Sequence, residues 1–146
     1  MCSSDLGSTT GLVNAGTVAT LTGAAADVQA AYTANAGAGV TGLGNEVVTL
    51  SDTSLAATTL NDVNSKTTGV VNAASVTTLT GAASDVQAAY AANTAGTISG
   101  LGDEAVTLTG STSVTDANQV DARTSGVITA TISNGDVSSQ IGRAHV

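Results

Sequence analysis

Tryptophan, phenylalanine and proline are missing from this sequence altogether, and tyrosine occurs only twice. A core must therefore be assembled from alanine, leucine and β-branched side chains, each of which buries little area. At about 25 cal/mol per Å² of apolar surface, stability then accumulates over many similar layers, as it does in repeat arrays. Basic residues are scarce too, with 3 Lys and Arg against 11 Asp and Glu and a formal net charge of −8. That balance excludes a phosphate-binding surface for nucleic acid, which needs clustered cations, and it favours a self-repelling acidic surface. No apolar run approaches the roughly 20 residues needed to cross a bilayer. Neither nucleic acid nor a membrane span is expected.

Cysteine, histidine and methionine occur once each, as Cys2, His145 and Met1, all at the ends of the chain. Read as codons, those ends are inverted complements. Met1 mirrors His145, Cys2 mirrors Ala144, Ser3 mirrors Arg143, Ser4 mirrors Gly142 and Asp5 mirrors Ile141. Translated sequencing adapter on a metagenomic fragment produces that pattern. Residues 1–6 and 141–146 are accordingly read as non-native and 7–140 as a repeat array. With the ends go the only thiol and the only imidazole, and with them disulfides, thiol nucleophiles and histidine bases. No enzyme and no cofactor is expected.

What is present is repetition. "LTGAAADVQAAY" from Leu21 and "LTGAASDVQAAY" from Leu79 agree at 11 of 12 positions. At that same offset, residues 11–50 and 69–108 share 26 of 40 positions without a gap, which makes a tandem duplication. A finer period, half as long, lies beneath it: "VATLTG", "VVTLSD", "VTTLTG" and "AVTLTG" start at equal intervals, at Val18, Val47, Val76 and Ala105. Glycine-led stretches at Gly11, Gly42, Gly69, Gly100 and Gly126 precede them at spacings of 31, 27, 31 and 26, so unequal half-repeats alternate. Periods of this size belong to solenoids, propellers or arrays.

Each unit changes period internally. "VTTL" alternates and is β-branched, which predicts a short strand. Thr22, Asp52 or Thr53, Thr80 and Thr109 follow as expected N-caps, and an Ala-rich helical stretch comes next. In 24–35, Val28 and Tyr32 share a face; in 54–66, Ala56, Leu60 and Val63 make a stripe, with Lys66 suited to the C-terminal dipole. The last unit, "STSVTDANQVDARTSG", keeps the length but not the stripe. The expected fold is α/β: a repeat solenoid of strand–helix coils of about 29 residues with a parallel sheet and right-handed crossovers. The alternatives are an all-helical solenoid and, third, an all-β helix.

The stretch "TGLGNEVVTLSDTSLAATTLNDVNSKTTGVVNAASVTTLTGAASDVQAAY" resembles the tandem repeats of very large secreted or surface proteins of marine bacteria and cyanobacteria, many of them RTX-adhesin-like. The resemblance covers nearly all of residues 9–132. It implies a structural or adhesive segment located outside the cell or on its surface. The implied partners are neighbouring repeats of the same chain and a surface polysaccharide or another cell. The glycine–aspartate nonapeptide that holds calcium in RTX coils is absent, so no calcium ligand is carried over.

Candidate chemistry is thin. Ser65 and Lys66 are adjacent on a helix and do not face one another. Asn45, Glu46, Asp103 and Glu104 offer two oxygen ligands per glycine turn, where calcium wants six or more; turn chemistry is the better reading. The sharper expectation is a surface array. Alternation places the leucines of "TLT" and "TLS" inward and Thr20, Thr22, Thr49, Ser51, Thr78, Thr80, Thr107 and Thr109 outward. Stacked, these form two ranks of hydroxyls like those of ice-binding β-solenoids. The alternative function is thus a ligand-binding solenoid for calcium, ice or a polysaccharide.

Overall fold

Residues with two heavy atoms on Cβ favour extended backbone, and the "VTTL" stretches are strands. A computed structural model of the chain describes residues 11–133, so both terminal hexapeptides lie outside the described residues. The first units comprise β1 (Val13–Asn14), β2 (Thr20–Gly23), α1 (Ala25–Ala36), β3 (Val40–Thr41), β4 (Val47–Leu50), β5 (Ser54–Ala56) and α2 (Ala57–Lys66). After them come β6 (Val71–Asn72), β7 (Thr78–Gly81), α3 (Ala83–Ala95), β8 (Ile98–Ser99), β9 (Ala105–Thr112), α4 (Val114–Asp121) and β10 (Ile128–Ile132). Every strand pairing among the described residues is parallel. Among the described residues the chain is α/β with parallel sheets and four helices, which rules out the all-helical and all-β alternatives.

The strands form three sheets: β1-β3, β2-β4-β6-β8 and β5-β7-β9-β10. Parallel neighbours need a crossover, and the helices supply it. Val13 pairs with Val40 and Val71 with Ile98, the same pairing one duplication on. Thr20 with Val47 and Thr78 with Ala105 repeat at the same offset. Yet the duplicated strands do not share a column. Val71, the counterpart of Val13, lies in line with Leu21 and Val48. The second copy of each motif is displaced sideways by one strand segment. Two pairing steps carry the column from Leu21 through Val48 to Val71, whereas the sequence duplication carries Leu21 to Leu79. The shortfall is the sideways step.

The expected caps are corrected. Thr22 and Thr80 lie inside β2 and β7, because ladder pairing carries the backbone extended through Gly23 and Gly81. The helices start later, with Ala24, Ala56 and Ala82 at the N-cap and no side-chain cap bond. Thr109 lies within β9, and α4 is capped instead by Ser113, which accepts from the Asp116 N–H. The Asp52 carboxylate caps no helix of its own unit; it accepts from the Ala25 N–H at 2.7 Å, at the start of α1. Ala56 likewise belongs to β5, and Ala57, Leu60 and Val63, all 0 % exposed, make the α2 stripe. The last unit keeps more of this stripe than expected. One deleted residue re-registers it, and Ala117 and Val120 are buried on α4.

Val28 with Tyr32 and Val86 with Tyr90 point into the core as the spacing predicts. The core is one cluster between helices and sheets, with Leu50, Leu60, Leu79 and Ile98 among its largest members. Successive units approach so closely that a Cβ at Gly69 or Gly126 lies 2.2 or 2.1 Å from the carbonyl oxygen of Glu46 or Glu104. No other residue fits there. Polar bonds join the helices: Gln29 donates to Asp62 at 2.8 Å and Asn61 to the Asp85 carbonyl at 2.9 Å. Lys66 meets Asp62 at 3.5 Å on the surface, a pair of little energetic weight.

Candidate functional site

The hydroxyl array follows from strand alternation, and alternation holds. Leu50, Leu79 and Leu108 are buried, and Leu21 is half-buried. Thr20, Thr22, Ser51, Thr107 and Thr109 are exposed, while Thr49, Thr78 and Thr80 are partly so. The two continuous ranks do not form. β2 and β4 lie in one sheet, β7 and β9 in another. Thr22 faces Thr49 but Thr20 faces Val47; Thr80 faces Thr107 but Thr78 faces Ala105. The sequence motif sets Thr20 against Thr49 and Thr78 against Thr107. The pairing falls short of that interval, so each "TLT" slides two positions past its neighbour. An even slip keeps leucine inward but breaks one rank. The other rank runs on through Asn72 and Ser99 in one sheet and Thr129 in the other. Ser51 lies past the end of β4.

The glycine turns hold the more specific arrangement. Glu46 and Glu104 are each 1 % exposed, whereas Asn45 and Asp103 point to solvent. The Tyr32 hydroxyl donates to Glu46 Oε1 and the Tyr90 hydroxyl to Glu104 Oε1, both buried. Glu46 Oε2 accepts from the N–H groups of Gly44 at 2.8 Å and Asn45 at 3.1 Å. Glu104 repeats this with Gly102 at 2.8 Å and Asp103 at 3.2 Å. The next unit closes the motif. Thr67 donates to the Glu46 carbonyl at 2.7 Å and accepts from the Gly69 N–H at 3.0 Å. Thr124 does the same between Glu104, at 2.8 Å, and Gly126, at 3.0 Å. Asn35 and Asn93 brace the same turns through Leu43 and Leu101.

No family model, curated protein or solved structure matches the chain.

The electrostatics of these pairs follow from burial and hydrogen bonding. Burial works against the ionised Glu46 carboxyl, but hydrogen bonds from Tyr32 and the turn N–H groups outweigh it and hold its pKa below the ordinary value. Burial, then the Glu46 carboxylate, pushes the Tyr32 phenol well above its ordinary range. Burial and Glu104 do the same to Tyr90. Three donors already occupy each carboxylate, so it serves as a clamp for its own turn. The turn reading of Glu46 and Glu104 stands on these bonds. Sequence reasoning missed the tyrosines as partners, though a signal was there: the only two tyrosines and the only two glutamates are 14 residues apart in both copies.

Other candidates disperse. Ser65 donates to the Asp62 carbonyl at 2.7 Å, away from Lys66. Among the described residues no group of three or more His, Cys, Asp or Glu side chains clusters as metal ligands. No helix there is long and apolar enough to cross a membrane. One cavity of about 340 Å³ opens at the β1–β2 end, lined by Val13, Val18, Leu21, Val28, Ala31 and Leu43 among others.

Proposed function

We propose that this chain is a structural and adhesive repeat segment of a large secreted or cell-surface protein, built as a solenoid and performing no chemistry of its own. The observation that carries the reading is the duplicated Tyr–Glu clamp. Tyr32/Tyr90 and Glu46/Glu104, identical in the two copies, are buried and paired with each other, and the next unit grips the glutamate carbonyls through Thr67 and Thr124. A duplicated active or binding site would turn such residues toward a cleft. The repeated tyrosines and glutamates are internal, and repeated outward positions such as Thr22 and Asp27 carry a hydroxyl or an acidic group. Neighbouring repeats of the same chain are then the first partners, with a polysaccharide or another cell meeting the outer face.

Repeat arrays gain stability from each added interface. Chains carrying two, four and six copies of the long sequence repeat should therefore show stepwise higher unfolding midpoints and steeper denaturant dependence. Displayed on a non-adherent cell, the longer arrays should raise attachment to other cells or to polysaccharide-coated beads. Midpoints independent of copy number overturn the solenoid, and unchanged attachment overturns the adhesive role.

A further inference from the structure

The chain keeps its charges and its strands apart. Every Asp, Glu, Lys and Arg among the described residues lies on a helix or in a connecting segment, and β1 to β10 carry none. The sheets of a chain with a formal net charge of −8 are thus uncharged. Large apolar side chains exposed among the described residues include Val47 at 42 %, Val70 at 39 % and Val127 at 75 %, and these three border the hydroxyl rank. Val48 pairs with Val71, which sets Val47 beside Val70, and the Val48 N–H donates to the Val70 carbonyl at 3.0 Å. Two residues on, and so on the same face, Thr49 pairs with Asn72. The other four-stranded sheet repeats the arrangement. There Ala105 stands beside Val127, the Val106 N–H donates to the Val127 carbonyl at 2.8 Å, and Thr107 pairs with Thr129. Each strip is an apolar row beside a row of hydroxyl and amide groups. The hydroxyls of Thr49, Thr107 and Thr129 have no partner among the described residues. Strand β4 is flanked by β2 and β6, and β9 by β7 and β10, so the strips cross the middle of their sheets rather than an end of the stack.

We propose that these two strips bind a neutral, extended polysaccharide of β-linked sugars. The inference rests on the adhesive reading and names its surface and its ligand class. A pyranose ring has an apolar C–H face and a rim of hydroxyls. Laid along the stack, across the strands, such a chain sets ring faces on the methyls of Val47 and Val70 and hydroxyls against Thr49 and Asn72. Neighbouring strands are about 4.8 Å apart, close to the advance per sugar along an extended β-linked chain. Magnitude selects the ligand. One strip crosses four strands and two outward positions, so it covers on the order of 100–200 Å². A stable protein interface takes about 800 Å² from each partner, so a folded partner finds too little to hold. A polymer engages both strips of one chain and those of further repeats, and its contacts multiply. A polyanion is repelled by the acidic helices and turns; a neutral polymer is not. Both tyrosines are locked in the Glu46 and Glu104 clamps, so no aromatic ring stacks on the sugar and each strip alone binds weakly.

Affinity electrophoresis of the full chain in native gels tests it. Hydroxyethylcellulose, a soluble neutral β-linked glucan, should retard the chain, and the retardation should persist in added salt, since no ionic contact holds the ligand. Polygalacturonate, an acidic polymer, should not retard it. Val70→Glu with Val127→Glu places a charge in each strip and should weaken binding roughly tenfold or more, because the ligand strips water from an unpaired carboxylate. Ala30→Glu with Ala88→Glu adds the same charge at exposed helix positions and should leave the retardation unchanged. Thr49→Glu with Thr107→Glu repeats the strip test should the first pair fail to fold. Equal retardation of strip and helix variants, or retardation by polygalacturonate alone, overturns the strips and leaves the adhesive reading in place. Retardation by neither polymer also overturns the strips. If longer displayed arrays then still attach to other cells, the adhesive reading stands without them; if they do not, both fall.

Discussion

At 1 % exposure the Glu104 carboxylate is isolated from water, and its charge is tolerated because Tyr90, Gly102 and Asp103 all donate to it. Removing one donor leaves the remaining group under-solvated, which costs about 1–3 kcal/mol. Tyr90→Phe should therefore lower unfolding free energy by that amount in urea titration with little change in slope, and a neutral outcome would show the clamp to be slack. The same clamp sets the alkaline limit. Both phenols titrate higher when folded than the ordinary 10.0, so the folded state holds protons that the unfolded chain has lost. Their contribution is complete below pH 10 and falls above it, by about 1.4 kcal/mol per pH unit for each tyrosine. Glu46 has the opposite sense: its lowered pKa stabilises above the ordinary carboxylate range, and the contribution is lost as pH falls through the folded value. Phenolate absorbance should stay flat past pH 10 and then rise together with loss of helical circular dichroism. A simple titration centred at 10 in the folded chain would refute buried, clamped tyrosines.

Three of the four described helices begin on an alanine N-cap, a weakness for which α4 supplies the comparison. Ala82 has φ −63° and ψ 150°, nearly the backbone of Ser113 at −70° and 154°. Ser113 accepts from the Asp116 N–H at 3.0 Å and donates to its carboxylate at 2.7 Å. Asp85 stands at the same spacing after Ala82. Ala82→Ser should thus complete the same motif and stabilise by about 1 kcal/mol, and Ser113→Ala should cost about as much. Urea midpoints of the two variants moving in opposite directions would establish it. Sequence points to threonine at these caps because Thr22, Thr80 and Thr109 directly follow three of the four "VTTL"-like stretches. What displaced it was pairing: β2 and β7 stay extended through glycine to meet β4 and β9, a demand set by a neighbouring unit. The strands of the four "VTTL"-like stretches, in β2, β4, β7 and β9, were legible from alternation, and the α2 stripe to within one residue, but β5 read as the start of that helix. The two-residue strands β1, β3, β6 and β8 were not legible. Val71 and Asn72 read as part of a glycine turn until Val48 and Ile98 are placed beside them.

For the whole molecule, the period of the sequence and the period of the pairing disagree, and only the first is written in the chain. The duplication that carries Leu21 to Leu79 was plain; that Val71 falls in line with Leu21 was not. The displacement makes otherwise identical backbone bonds unequal. Val13 and Ala15 donate to Gly39 and Thr41, and Val71 and Ala73 donate to Thr97 and Ser99, at distances of 2.7–3.1 Å. The first pair belongs to a two-stranded sheet, whereas the second is flanked by β4 within a four-stranded one. Amides exchange through local opening, whose free energy ranges from near zero at the ends of a structure to the global value at its centre. Val71 and Ala73 should therefore exchange at least roughly tenfold more slowly than Val13 and Ala15 by nuclear magnetic resonance. If residues 45–68 are placed ahead of Gly11, the difference should shrink, because Val13 then gains the flanking strand that Val71 already has. Equal rates in the unmodified chain would mean that the flanking unit contributes nothing to holding these strands, and the layered account of stability would fail with it.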